Sequence, residues 1–168
     1  MLDAMSSHTE EHPSRTGLRI AVDGLTGPDI IDLLATHLAE MHANSPAGSM
    51  HALDLTELRQ PGITFWSARE NDELLGCGAL KQLDATHGEI KSMRTAAGHT
   101  GRGVAAALLR HIVGEARARG YRRLSLETGA APYYLPAQRL YARHGFQVCP
   151  PFGEYTDDPH SVFMTSAL

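Results

Sequence analysis

The sequence has few cysteines and no long apolar run. Its 168 residues include only Cys77 and Cys149, which are far apart along the chain, so neither a disulfide framework nor a paired-cysteine metal site is expected. No stretch is apolar over the roughly 20 residues that a transmembrane helix needs, and the first residues lack the apolar centre of a signal peptide. These absences predict a cytoplasmic protein with free thiols and no membrane partner.

Charge of one sign is not concentrated anywhere in the sequence. The formal net charge is −4 and no block of like charges occurs, so no nucleic-acid partner is expected. Ten histidines are present, but none belongs to an HExxH motif or a paired Cys/His spacing. His37 and His42 are five positions apart, which separates them around a helix. We therefore expect no metal site.

Length and composition together predict one folded domain. A chain of 168 residues can bury a substantial core as a single unit. Residues 1–16 are polar and rich in Ser, His and Glu, which predicts a disordered tail. Residues 17–168 are expected to form the single domain.

The most informative stretch is residues 89–120, EIKSMRTAAGHTGRGVAAALLRHIVGEARARG. It begins like a strand, passes through a turn with Gly101 and Gly103, and continues as an amphipathic helix. Glycines at a helix start let a ligand approach the backbone, where unpaired N–H groups and the helix dipole favour an anion. The turn lacks the Gly-Lys-Ser/Thr of a Walker loop and the spacing of a dinucleotide fingerprint. From these residues alone, a phosphate-holding turn and a turn that serves only bending and packing both remain open.

The remaining pattern predicts an α+β (mixed α/β) fold. Helices are expected to begin at Pro28 and Pro136, the long helix should end at Gly120, and a short helix is expected at residues 53–59. A hairpin tip is expected at Asn71-Asp72, and strands at residues 18–22, 63–68, 74–83, 89–95, 124–128 and 162–165. A helix joins strand 89–95 to strand 124–128, so these two strands should be parallel. The result is a mixed sheet with helices on both faces.

Two motifs resemble those of the GNAT superfamily of N-acetyltransferases. Motif A is similar to Met93-Arg94-Thr95 followed by Thr100-Gly101-Arg102-Gly103-Val104-Ala105 and Leu108-Leu109. Motif B, A-x-x-L-Y-x-x-x-G-F, is matched by Ala137, Leu140, Tyr141, Gly145 and Phe146. The resemblance covers nearly all of the chain from Leu18 onward, although Thr100 replaces the first residue of the superfamily's Q/R-x-x-G-x-G/A signature. It implies a GNAT-like central mixed sheet of about six to seven strands.

The resemblance also implies acetyl-CoA as co-substrate. Its pantetheine arm would lie between strands 89–95 and 124–128, and its diphosphate would rest on the glycine turn. The implied binding residues are Met93, Arg94, Thr95, Thr100, Gly101, Arg102, Gly103, Val104 and Ala105. Tyr141 occupies the position of the superfamily's usual general acid, which protonates the departing thiolate; packing on the sheet is the alternative role.

Two strand glutamates are candidates for the general base. Glu89 and Glu127 lie in strands with apolar neighbours, where a carboxylate is costly unless it is paired or belongs to a site. The alternative role is an ion pair, which Lys91 offers to Glu89 and which Arg122 or Arg123 offers to Glu127.

By the same analogy, the acceptor pocket involves the first helix, the loop before the last helix and the C-terminal segment. The implied substrate contacts are Met41, His42, Tyr133, Tyr134 and Tyr155, and an Asn commonly occupies the motif B position that is Tyr134 here. Adjacent tyrosines in a loop can equally be packing residues.

The sequence therefore predicts an acetyl-CoA-dependent N-acetyltransferase. The acceptor would be the primary amine of a small molecule or an amino-acid-like compound, attacking directly in a ternary complex. Two alternatives remain open: a non-catalytic acyl-CoA-binding sensor, or a protein or peptide N-acetyltransferase with an open groove. The C-terminal strand could support a homodimer, as in many members of the superfamily.

Overall fold

The computed structural model describes residues 17–168, so the predicted tail at residues 1–16 lies outside the described residues. Helices span α1 (Pro28–Asn44), α2 (Leu55–Leu58), α3 (Val104–Ala118) and α4 (Leu135–Arg143). Strands span β1 (Arg19–Val22), β2 (Ile63–Glu70), β3 (Glu73–Gln82), β4 (His87–Thr95), β5 (Arg123–Gly129), β6 (Gln147–Val148) and β7 (Ser161–Ala167). Short 3₁₀ turns span Ala47–Ser49 and Pro132–Tyr134. No helix within residues 17–168 has the length and apolar character needed to cross a bilayer.

The seven strands form one mixed sheet in the order β1-β2-β3-β4-β5-β7-β6. Only β4 and β5 are parallel, because α3 connects them as a crossover helix, and the other neighbouring pairs are antiparallel. The predicted mixed-sheet α+β fold is confirmed.

Helices cover both faces of this sheet. The strands carry apolar side chains on each face, so both faces need to be buried. α1 and α2 pack on one face through Ile30 and Leu58. α3 and α4 pack on the opposite face, where Leu109 and Ile112 contribute to the larger apolar cluster. The buried residues of α3 are those of the predicted apolar face: Val104, Leu108, Leu109, Ile112 and Ala116. Each fully buried Leu or Ile contributes about 1.5–3 kcal/mol.

Three elements differ from the sequence prediction. α2 is only Leu55–Leu58, although it begins with a capping box in which Asp54 and Glu57 each accept the other's backbone N–H. α4 begins one residue before Pro136, after the 3₁₀ turn. β6 was not predicted, because two exposed residues carry no periodic pattern.

Candidate active site

The parallel strands β4 and β5 pair over a short length and then separate. Residues His87, Gly88, Glu89 and Ile90 pair with Arg123, Leu124, Ser125 and Leu126. Beyond this point β5 continues to pair with β7 as far as Gly129, while β4 continues beside β3. The carboxyl ends of the two parallel strands are therefore separated by a gap.

A bulge in β4 lies at this gap. Ser92 and Met93 together oppose the single residue Gly78, because Cys77 pairs with Arg94 and Ala79 pairs with Lys91. Ser92 has φ 54, a left-handed conformation that non-glycine residues rarely adopt and that occurs at functional sites. A Cβ atom at Gly78 would lie 2.6 Å from the sulfur of Met93, so any larger residue there would displace the Met93 side chain. A bulge leaves its extra residue unpaired, which frees main-chain groups beside the gap.

The gap opens into a cleft of about 760 Å³ that reaches both faces of the sheet. Its α3 side is lined by the glycine turn, the start of α3 and α4, and its α1 side is lined by α1, the second 3₁₀ turn and residues of β4 and β5. Because side chains alternate along a strand, Lys91 and Glu127 belong to the α1 side, whereas Ile90 and Leu126 pack with α3 and α4. We use the terms α1 side and α3 side for these two parts of the cleft.

The glycine turn before α3 is open to the cleft. Gly101 and Gly103 have φ values of 75 and 80, and a Cβ atom at either position would meet nothing within 4 Å. No side chain caps the first turn of α3. The cleft is lined by eight of the nine implied cofactor residues: Met93, Arg94, Thr95, Thr100, Gly101, Gly103, Val104 and Ala105. The Arg102 side chain instead contacts His99 at 2.7 Å and lies 4.0 Å from Glu70.

Tyr141 lines the cleft from α4. Its ring is buried and packs edge-on against Phe146, with ring centroids 5.8 Å apart. Burial raises the pKa of Tyr141 well above the usual range of a phenol. The side chain therefore stays protonated at neutral pH. It both packs against the core and lines the cleft.

Glu127 lines the α1 side of the cleft and has no ion-pair partner among residues 17–168. The predicted pairing with Arg122 or Arg123 is wrong, since the Arg123 side chain donates a hydrogen bond to Thr165 at 3.0 Å instead. Burial raises the pKa of Glu127 to about 7, against the opposing charge of nearby Lys91. A carboxyl group that titrates near neutrality is suited to accept and release a proton.

Glu89, in contrast, is 2% exposed and does not line the cleft. Tyr155 donates a hydrogen bond to Glu89 Oε2 at 2.5 Å, and Lys91 Nζ lies 3.3 Å from the same oxygen. Lys91 also donates to the Tyr155 hydroxyl at 2.9 Å, which completes a buried triad of Glu89, Lys91 and Tyr155. The predicted ion pair between Glu89 and Lys91 is confirmed. Burial and the Glu89 charge raise the pKa of Tyr155, so its hydroxyl remains a donor.

The implied acceptor residues divide into two groups. Met41, Tyr133 and Tyr134 line the cleft. His42 is exposed outside it, and Tyr155 belongs to the buried triad, where its ring packs against Phe163 with centroids 5.4 Å apart.

Two hydrogen-bonded bridges join the C-terminal end of α1 and the residue that follows it to the second 3₁₀ turn. In the first, Tyr133 donates to Glu40 at 2.6 Å, and Arg94 Nη1 lies 2.5 Å from Glu40 and 3.1 Å from the Tyr133 hydroxyl. Arg94, and then Tyr133, lower the pKa of Glu40 to about 2. In the second, the hydroxyls of Ser45 and Tyr134 are 2.6 Å apart. These bridges tie the C-terminal end of α1 to the loop before α4 beside the cleft.

Sequence reasoning missed several residues that line the α1 side of the cleft. Glu40 and His37 line the cleft from α1, and His51 lines it from the segment before α2. Burial, with the charge of Arg94, lowers the pKa of His37 to about 4, so it is neutral at neutral pH. No local signal marks these residues, since their partners are distant in sequence. Within residues 17–168, no group of three or more His, Cys, Asp or Glu side chains is arranged to hold a metal ion.

Comparison with known proteins gives consistent matches over most of the chain. The sequence profile of the Acetyltransferase (GNAT) family matches residues 30–146. A Bacillus subtilis (strain 168) protein called Uncharacterized N-acetyltransferase YsnE is 56% identical over 151 residues, which is 90% of this chain and 100% of that protein. The Escherichia coli (strain K12) protein called Uncharacterized N-acetyltransferase YedL is 49% identical, over 89% of this chain and 94% of that protein. The IAA acetyltransferase of Azospirillum brasilense is 38% identical, over 83% and 88%.

Solved structures share the fold. A Klebsiella pneumoniae subsp. pneumoniae structure described as an acyl-CoA N-acyltransferase has a TM-score of 0.76 at 30% identity, and covers 90% of this chain and 97% of that one. A GNAT family acetyltransferase of Elizabethkingia anophelis, solved with acetyl-CoA bound, has a TM-score of 0.64 at 19% identity, over 90% and 98%.

Proposed function

The chain belongs to the GNAT acetyltransferase family and is an acyltransferase, and from this premise we propose that it transfers the acetyl group of acetyl-CoA to the primary amine of a small molecule. The transfer is a direct attack in a ternary complex. The observation that carries this proposal is one cleft lined by the open glycine turn, by Tyr141 on the α3 side and by Glu127 on the α1 side.

The α3 side fits the coenzyme. The open turn and the uncapped first turn of α3 offer main-chain N–H groups and the positive end of a helix dipole to a diphosphate. Thr100 adds only a short hydroxyl at the first signature position, so these backbone groups carry most of the contact. Main-chain groups of the β4 bulge lie beside the gap, where they can hold a pantetheine arm and polarise a carbonyl. The coenzyme supplies the acetyl thioester.

Glu127 is the general base of this proposal. An alkyl amine has a pKa of about 10.4, so it arrives protonated and must lose a proton before it can attack. Glu127 lines the cleft, has no ion-pair partner among the described residues and titrates near 7, whereas Glu89 is enclosed by Lys91 and Tyr155. Glu127 takes one proton from the ammonium group and passes it to solvent, which leaves a neutral amine. The nitrogen then forms a bond with the acetyl carbon as the bond between carbon and sulfur breaks, and Glu127 accepts the second proton that the nitrogen loses.

Tyr141 faces the leaving sulfur in this arrangement. Ordinary pKa values are about 10 for a phenol and about 8.5 for a thiol, so full proton transfer to the thiolate is unfavourable even before burial raises the pKa of Tyr141. Tyr141 therefore acts first as a hydrogen-bond donor to the developing charge. The proton follows as the thiol leaves, and Tyr141 is reprotonated from solvent.

The α1 side supports a small acceptor. The bridges from Glu40 to Tyr133 and from Ser45 to Tyr134 tie the end of α1 to the loop before α4, whereas a peptide chain would need an open groove between them. This favours a small molecule over the protein or peptide alternative. The alternative of a non-catalytic sensor is set aside, because the chain is an acyltransferase.

The test is release of free thiol from acetyl-CoA across a panel of small amines and short peptides, run beside calorimetric titration with acetyl-CoA. We expect heat with acetyl-CoA and turnover with small amines. Tyr141→Phe should lower kcat by about 10–100-fold, the effect of losing a hydrogen bond to a developing charge, while the heat of acetyl-CoA binding stays unchanged. Acetyl-CoA binding without turnover of any small amine, or turnover of peptides alone, would contradict the proposal.

A further inference from the structure

We propose that the acceptor is a primary amine with an apolar or aromatic body and no carboxylate, because the lysine and arginine on the α1 side are already paired with the protein's own carboxylates. This inference rests on the proposed function and specifies its substrate class. A ligand carboxylate bound there would need a cation that is not already neutralised, since a buried charge is stable only when it is paired.

Lys91 is the first of these cations. Its ammonium group has three donors, and two of them are directed to Glu89 and to the Tyr155 hydroxyl. The Lys91 and Glu89 side chains are 8% and 2% exposed, so solvent screens their interaction little. The charge of Glu89 offsets that of Lys91 in the wall of the cleft.

Arg94 is the second cation, and it pairs with Glu40, whose side chain is more exposed than that of Glu89. Glu40 accepts from Arg94 Nη1 at 2.5 Å and also accepts from Tyr133. A second carboxylate beside Arg94 would be repelled by Glu40, whose lowered pKa keeps it ionised at neutral pH. The Glu40 and Arg94 pair therefore presents no net charge to the cleft.

Two histidines also line this side. His37 is neutral at neutral pH because of its burial beside Arg94. The His51 ring stacks edge-on with Tyr155 at 5.1 Å between centroids, and Asp158 lies within electrostatic range of it.

The remaining lining of the α1 side combines one carboxyl group with an apolar surface. Glu127 has no ion-pair partner among residues 17–168, and its carboxylate attracts an ammonium ion. Met41, Ala52, Tyr133 and Tyr134 offer thioether, methyl and aromatic contacts to the rest of the acceptor. The side chains thus match a single positive group attached to an uncharged body.

The experiment compares probes that differ only in the group at the α-carbon. The three sets are 2-phenylethylamine, phenylalanine and phenylalaninamide; tryptamine, tryptophan and tryptophanamide; and 3-methylbutylamine, leucine and leucinamide. The amides preserve the size of the carboxylate without its charge. We expect kcat/KM for the amine and the amide to exceed that for the amino acid by about tenfold or more in each set that is turned over.

The variant Glu40→Gln tests the cause. It keeps the shape of the side chain but frees the charge of Arg94, so the ratio of kcat/KM for the amino acid to that for the amine should rise by about threefold or more. Glu115→Gln is the matched control, because Glu115 forms a similar part-exposed pair with Arg119 at 3.2 Å on α3, away from the cleft. This control should leave the ratio at the wild-type value.

Each outcome has a definite meaning. Amino acids that are turned over as well as their amines would overturn the inference and leave the proposed function intact. An unchanged ratio in Glu40→Gln would also overturn it, because internal pairing would then not be the cause of selection. Turnover of none of the probes or of the wider small-amine panel, with normal acetyl-CoA binding, would remove the proposed function and this inference with it.

Discussion

Glu89 and Glu127 are the same residue type on neighbouring strands of one sheet face, yet their surroundings differ completely. Glu89 lies before the point where β4 and β5 separate, and Tyr155 and Lys91 enclose its carboxylate. Glu127 lies just beyond that point, where the gap exposes it to the cleft without an ion-pair partner among the described residues. We therefore expect removal of the first carboxylate to weaken the fold, and removal of the second to impair the proposed chemistry.

The largest effect is expected from Glu89→Gln. This change leaves the Lys91 ammonium buried without its counter-charge, which typically costs about 3–5 kcal/mol. The free energy of unfolding, measured by urea denaturation at neutral pH, should fall by that amount. Glu115→Gln, which removes a part-exposed pair, should change it by less than about 1 kcal/mol. Equal losses in the two variants would show that the triad has no special role.

Glu127→Gln should lower the catalytic rate without lowering the stability of the fold. Loss of a general base lowers kcat by about a hundredfold or more, while the fold should not be weakened, because a neutral amide replaces a carboxyl group that is costly to ionise in place. Steady-state kinetics and the urea midpoint of the same preparation measure both quantities. If kcat were unchanged, Glu127 would not be the base.

Tyr155→Phe tests the triad without removing a charge. Glu89 loses its hydrogen bond from the phenol and keeps Lys91, and a hydrogen bond to a charged group contributes about 1.5–3 kcal/mol. We expect the free energy of unfolding to fall within that range. Phe152→Leu is a useful comparison, because it alters ring packing around Tyr155 but leaves the triad's hydrogen bonds in place. A smaller loss in Tyr155→Phe than in Phe152→Leu would mean that ring packing outweighs the hydrogen bond.

The smallest effect is a pH dependence. Because Glu127 is protonated below its pKa of about 7, its ionisation should raise kcat/KM by about eightfold between pH 5.5 and 6.5 and add little above about pH 8, beside the steady rise that comes from deprotonation of the amine itself. Glu127→Gln should lose the first contribution and keep the second. A step of the same size in the variant would assign the titration to another group.

The stability of the wild-type protein should respond to the same group. The folded-state pKa of Glu127 is raised from 4.5, so its contribution to stability is present below about pH 4.5 and is lost as the pH rises through 7. Relative to wild type, Glu127→Gln should therefore become more stable between pH 5 and 8. A constant difference over this range would contradict the raised pKa.

Local patterns were sufficient to predict most of the fold. The apolar face of α3, the start of α1 at Pro28 and the parallel relation of β4 and β5 all follow from residues close together in the chain. The pairing of Glu89 with Lys91 could be predicted for the same reason, since two residues along a strand share a face.

The α1 side of the cleft depends on contacts between residues that are distant in the sequence, and no local pattern contains these contacts. Tyr155 reaches Glu89 across 66 positions, and Tyr133 reaches Glu40 across 93. The bulge at Ser92 is a feature of the pairing between β4 and β3, whose residues lie on another strand, so it does not appear in the residues around Ser92. For this reason the sequence could identify two candidate glutamates but could not distinguish their surroundings.

The short pairing between β4 and β5 has a consequence for the whole sheet. It makes this line a seam between an N-terminal half of four strands and a C-terminal half of three, held by four register pairs and the helices packed across them. A ligand that lies in the gap touches both halves and supplies hydrogen-bonding groups that the strands do not supply to each other. A ligand bound in the cleft should therefore hold the two halves of the sheet together, so that its binding free energy also stabilises the folded state.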